Sequence, residues 1–203
     1  MIENTKKAGF RVVRTLVSAA VSIAALSAIS AGAQGTGSSS TGVMGAAGSS
    51  VAGAQVSRED SRLMTDLAQS NIAKIETGKM ALEKSQNDTV KKFAQSMIDD
   101  HTAALTELQA LAQAKGVKLP DRPDVRHKTM AAALKVSSGN TFDNQFMKSA
   151  GVADHQQTVE LLKKTQKNAK DAELKAMATK LLPTVQGHLK MAQQGYTAVS
   201  AKK

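Results

Sequence analysis

Four segments of this chain repeat their apolar residues at intervals of three and four, and that period decides the fold class. The first shows Leu63, Leu67, Ile72, Ile75, Met80 and Leu82, and the second Val90, Phe93, Ala94, Met97, Ile98, Leu105, Leu108 and Leu111. The third carries Phe142, Phe146, Val152, Val159 and Leu162, and the fourth Leu174, Met177, Leu181, Val185, Leu189 and Ala192. Such spacing over several turns is that of an amphipathic α-helix and excludes a strand. Ser57, with Asp60 three residues on, starts the first helix, which runs to about Ser85. Asn87 or Asp88 starts the second, which ends at Gly116. The third opens around Asn140 or Thr141 and the fourth from about Asp171. Short links make helices 1 and 2, and then 3 and 4, antiparallel hairpins. Between the hairpins, Leu119-Pro120-Asp121-Arg122-Pro123 breaks the chain, and Val125 to Val136 has room only for a short crossover helix. The expected architecture is all-α, an antiparallel four-helix bundle with one longer connection in the middle.

Composition agrees. Phe10, Phe93, Phe142, Phe146 and Tyr196 are the whole aromatic complement, too few for the stacking platform of a single-strand nucleic-acid binder or the core of a β-sandwich. The chain has no cysteine, which removes disulfides, thiol nucleophiles and cysteine zinc sites. Met64, Met80, Met97, Met147, Met177 and Met191 fall on the core faces, where they read as gap fillers rather than as a methionine copper site.

The N-terminal part is of another kind. Lys6, Lys7, Arg11 and Arg14 precede an apolar stretch from Thr15 to Ser30 and then Ala31-Gly32-Ala33, the anatomy of a secretory signal peptide over residues 1–33. Ser18, Ser22, Ser27 and Ser30 interrupt the stretch, which argues against a retained membrane anchor. Residues 34–57 are Gly, Ser, Ala and Thr almost throughout until Arg58, a flexible tether before a folded part spanning 58–203. The expected location is the periplasm or the outer envelope, with no transmembrane segment in the mature chain. The formal charge of +10 drops to +7 beyond residue 33, because that leader holds four basic residues and one acid. Export takes this charge away from nucleic acid and leaves solubility, or attraction to anionic envelope surfaces and lipid headgroups, as its use.

Chemistry has few places to reside. His101 lies on the row of Met97 and Leu105, His155 between Val152 and Val159, and His188 between Val185 and Ala192, so helical geometry puts each on or beside the buried stripe. Glu76, between Ile72 and Met80 on its own row, reads the same way. His127, between Arg126 and Lys128, reads as exposed. One inward polar residue from each of four helices suits a single Zn, Fe or Cu ion. The same set also suits a metal-free polar layer in which Glu76 bonds to the histidines. A di-iron bundle needs Glu-x-x-His on two helices, and Ile98 and Val185 stand where those glutamates belong. Asp100 and Asp154, each next to a histidine, point about 100° away from it and read as solvated partners of lysines or of a neighbouring helix. Pro183 inside helix 4 predicts a kink just before His188.

Val90 to Ile98 and Leu174 to Leu182 form a faint internal repeat, each followed by a histidine. Two similar hairpins face to face are the arrangement that ferritin-like proteins use to build a metal site. The run Val90-Lys91-Lys92-Phe93-Ala94-Gln95-Ser96-Met97-Ile98-Asp99-Asp100-His101-Thr102, the Gly116-Val117-Lys118-Leu119-Pro120 break, Phe142-Asp143-Asn144-Gln145-Phe146 with a following His155, and Leu182-Pro183 with His188-Leu189 resemble the bacterial family DUF4142 over roughly Asp60 to Ala198. The resemblance implies an exported ferritin-like four-helix bundle, often labelled an outer membrane protein, and supplies no catalytic residues. Nothing here alternates like a barrel strand. The combined reading is a non-enzymatic envelope protein with a role in stress tolerance or metal handling. The alternatives are a mononuclear, redox-active metalloprotein and a basic module that binds anionic envelope components.

Overall fold

The computed structural model describes residues 56–201. The signal peptide read for 1–33 and nearly all of the linker read for 34–57 lie outside them. The elements are α1 (Arg58–Lys84), α2 (Asp88–Ala114), α3 (Val125–Val136), α4 (Gly139–Phe146), a π-helical turn (Met147–Ala153), α5 (Asp154–Asn168) and α6 (Ala172–Ser200). All regular structure among the described residues is helical. The fold is all-α: α1, α2, the continuous run from α4 through α5, and α6 are the four long members, and α3 is the crossover.

The starts follow the caps written in the sequence. Ser57, Asn87, Asp124 and Asp171 each accept a hydrogen bond from a backbone N–H of the first turn that follows. Asp60 does more than favour the start of α1. Buried at 1% exposure, its carboxylate accepts from Ser57 Oγ at 2.8 Å and from the N–H groups of Lys170 and Asp171 at 2.9 and 3.2 Å, which ties the α5–α6 turn to the beginning of α1. Gly116 closes α2 at φ +69°, a left-handed position that disfavours any side chain.

The expected third helix is regular only at its ends. Between Met147 and Ala153 the bonding widens to a π-turn, so that Asp154 N–H reaches back five residues to the carbonyl of Ser149. Pro183 does not interrupt α6, which runs unbroken past it. Pro183 and Thr179, whose carbonyl loses its partner, are both on the exposed side of the helix.

The apolar core is in two parts. One packs Leu63, Met64, Leu67, Leu108, Leu162, Leu174 and Met177, and the other packs Val90, Phe93, Met97, Phe142, Phe146, Met147 and Ala192. Along each long helix the change from one to the other falls at a polar position: Asn71 and Lys74 on α1, His101 on α2, Asp154 and His155 on α5, His188 on α6. A buried polar layer thus divides the bundle. Of the methionines assigned to the core, Met191 is instead 40% exposed.

Candidate metal centre

Three imidazoles meet in this layer. The ring centroids of His101, His155 and His188 stand 5.4, 5.5 and 5.6 Å apart, almost an equilateral triangle, and each residue is buried to 3% exposure or less. One ring nitrogen from each lies within 4.8 Å of those of the other two. Phe93 covers the group, with its ring centroid 5.7 Å from that of His155 and 6.2 Å from that of His188.

Each ring is held by one nitrogen and leaves the other without a partner. Asn71 Nδ2 donates to Leu67 O at 2.8 Å, so its Oδ1 faces His101 Nδ1 at 2.7 Å and His101 must carry its proton there. His155 Nδ1 donates to the carbonyl of Ala150 at 3.0 Å, a group five residues back that the π-turn presents to it. His188 Nε2 donates to Asp100 Oδ2 at 2.9 Å. The remaining nitrogens, His101 Nε2, His155 Nε2 and His188 Nδ1, are buried and have no hydrogen-bond partner.

Burial keeps these rings neutral. It pushes His155 down to about 3, helped by the nearby Lys74 ammonium. His101 is driven well below its ordinary value by burial, then by Lys74 and the two neighbouring histidines. His188 is lowered by burial too, against the opposing pull of Asp100. Three neutral imidazoles with unshared lone pairs, buried side by side, are a ligand set. Partners on the second nitrogen that fix ring and tautomer are the usual support of metal-bound histidines.

Glu76 is not among them. Its side chain is exposed, because α1 turns Asn71, Lys74 and Thr77 inward rather than the row of Ile72, Glu76 and Met80. A polar layer in which Glu76 satisfies the histidines is therefore absent from the bundle. His127, read as exposed, is 3% exposed, and Asp154, read as a solvated partner of lysines or of a neighbouring helix, does pair with a lysine, Lys74, but at 1% exposure. Asp154 Oδ2 takes Lys74 Nζ at 2.6 Å, while Oδ1 lies 3.0 Å from His127 Nε2 and 2.7 Å from Arg126 Nη2. Asp100 does reach across to a neighbouring helix, as one of its two readings has it. Asn71 and Lys74 had no place in the sequence reading, although both follow Leu67 at the helical spacing of a buried stripe.

The family described as "Domain of unknown function (DUF4142)" matches residues 45–194. The chain belongs to this family. Among solved structures, this DUF4142 chain is similar to CopM in the Cu(II)-bound form, with 20% identity, TM-score 0.59, and 68% of this chain against 96% of that one. CopM in an Ag-bound form gives 20% identity and TM-score 0.57 over 68% and 95% of the two chains. A DUF305 fragment from Deinococcus radiodurans gives 15% identity and TM-score 0.63 over 70% and 98%. At these identities the likeness shows the helical-bundle fold. No curated protein matches the sequence. No helix among the described residues of this DUF4142 bundle is long and apolar enough to cross a membrane.

Proposed function

We propose that this DUF4142 protein is an exported, envelope-associated bundle that handles metal by holding one copper or zinc ion on His101, His155 and His188. The observation that carries the reading is the set of three buried, unpartnered imidazole nitrogens whose opposite nitrogens are all fixed. Leaving such acceptors buried without a partner costs on the order of 1–3 kcal/mol each, a cost that a bound ion removes. The exposure of Glu76 leaves an all-nitrogen set, which suits copper and zinc better than iron, whose open sites add a carboxylate. CopM, a bundle of similar fold, has structures with copper and silver, and this supports copper. Export rests on the basic, apolar and small-residue succession of residues 1–33.

In this reading the protein's own groups orient and insulate. Asn71, the Ala150 carbonyl and Asp100 hold the three rings, and Phe93 keeps water from them. The test is metal analysis of untagged protein after equilibration with copper and dialysis. Wild type and Glu76→Gln are expected to retain about one ion per chain, and the His101→Ala/His188→Ala double variant a small fraction of that. Equal, substoichiometric metal in all three samples refutes the site.

A further inference from the structure

A narrow cleft between α2 and α6 leads to the three imidazoles. Asp100 and Thr184 stand exposed on its rim, while Asn71, His101 and Thr158 lie buried at its floor. Its free volume of about 20 Å³ is room for about one water. The roomier cleft between α1 and α5, bordered by Arg126 and His127 of α3, reaches Ser70 and Thr158 but none of the three histidines. The groups that hold the rings differ in the same sense. Asn71, which holds His101, is 6% exposed, and Ala150, whose carbonyl holds His155, is 0% exposed. Asp100, which holds His188, is 51% exposed, so water competes for this bond as it does for neither of the others. The wall of the cleft on α6 is also where that helix is weakest. Pro183 costs it one backbone bond, and Gly187, directly before His188, lowers its helical preference.

We infer that the metal ion reaches its site through this cleft, admitted when His188 lets go of Asp100 and turns aside. The inference rests on the metal-binding reading above and adds the route and the gate. The cleft meets His101 and His188 at the edges that Asn71 and Asp100 hold, whereas the unpartnered nitrogens are on the opposite edges of the same rings. With the two centroids 5.4 Å apart, ring atoms that need about 3.5–4 Å between them leave no passage for an ion, so one ring has to move. His188 is the ring whose hold water can replace and whose helix yields. The carboxylate it leaves stays on the rim, where its oxygens meet the incoming ion before the imidazoles do. When the ring swings back, Nδ1 closes on the ion and Nε2 returns to Asp100. The bond that orients the ligand thereby also shuts the entrance.

The experiment times copper transfer in the full chain: loading from Cu(II) by stopped flow, release to excess chelator, and equilibrium affinity by chelator competition. Because the chain has no cysteine, Thr184→Cys and Gln157→Cys, at the rims of the two clefts, each carry a single thiol, capped either by a small methylthio group or by a bulky maleimide. The methylthio form shows that each substituted chain folds and binds. The bulky cap at 184 is expected to slow loading and release by one common factor and to leave affinity as it is, and the same cap at 157 to change neither rate. Gly187→Ala, whose Cβ meets nothing within 4 Å, is expected to slow both rates by about fivefold, since alanine holds the closed helix more firmly. Rates that ignore the size of the cap at 184, or slowing at 157 alone, overturn the route. Gly187→Ala at wild-type rates overturns the yielding of α6. Wild type that takes up no copper brings down the site itself.

Discussion

Acid should unfold the metal-free bundle through its histidine layer, and His155 sets the scale. The folded chain holds this ring neutral down to about pH 3, whereas an unfolded histidine takes its proton near 6.5. Between those values the unfolded state binds one more proton than the folded state, so stability falls as pH falls through that window and is unaffected above it. At about 1.4 kcal/mol per pH unit, the full span is worth up to about 5 kcal/mol from this residue alone. His101 and His188 are displaced in the same direction and steepen the loss. Asp154, held well below the carboxylate range by Lys74 and His127 although burial alone pushes it up, contributes only below about pH 4. Since a domain of this size has about 5–15 kcal/mol in hand, the apo-protein should be markedly less stable at pH 5 than at pH 7.5. Urea unfolding of metal-free protein at several values from pH 7.5 to 4.5 measures this, with His155→Asn expected to flatten the slope by about 1.4 kcal/mol per unit. A wild-type midpoint that stays constant over that range refutes the assignment of buried neutral rings.

Further outcomes follow from contacts already described. Asp100→Ala removes the acceptor that fixes His188 and should weaken metal binding by about 10–100-fold, while Asp100→Asn, whose amide oxygen still accepts from Nε2, should lose much less. Chelator competition separates the two, and equal losses would mean that charge rather than ring orientation is what Asp100 supplies. The glycines of the bundle should respond with opposite signs in thermal melts. A Cβ at Gly187 meets nothing within 4 Å, so Gly187→Ala should stabilise α6 by about 0.5–1 kcal/mol. A Cβ at Gly151 meets Ala192 Cβ at 3.1 Å and Phe93 Cε1 at 3.4 Å, so Gly151→Ala should destabilise by about 1–3 kcal/mol through overpacking.

The long helices and their caps were legible because Leu, Val and Phe recur at helical spacing and Ser57, Asn87 and Asp171 sit where a cap belongs. The three histidines were legible for the same reason, each bracketed by buried apolar neighbours. The middle of α1 was misread because its buried stripe is polar there: Ser70, Asn71, Lys74 and Thr77 face inward, and a rule that seeks apolar residues hands the inner face to Ile72 and Met80. Glu76 was drawn in by that error. The π-turn left a trace in the spacing, since buried positions Phe142, Phe146, Ala150, His155, Val159 and Leu162 contain one step of five among steps of three and four. His127 gave no comparable sign, because its burial depends on α3 folding over Asp154, a contact between residues far apart in the chain.

The polar layer also acts as a key between two halves that are otherwise alike. Hairpin α1–α2 brings Lys74, Asn71 and His101, and hairpin α5–α6 brings Asp154, His155 and His188. Two copies of the first hairpin pairing with each other would bury Lys74 against Lys74 with no carboxylate between them. Two copies of the second would leave Asp154 without its ammonium. A slip of one turn along α1 would set Asp154 against Ser70 or Gly78 in place of the Lys74 ammonium. Buried groups that can be satisfied in only one arrangement set register and partner choice, as polar core residues do in coiled coils. The faint sequence repeat would otherwise permit each hairpin to accept its twin; the charges at its centre oblige it to take its complement.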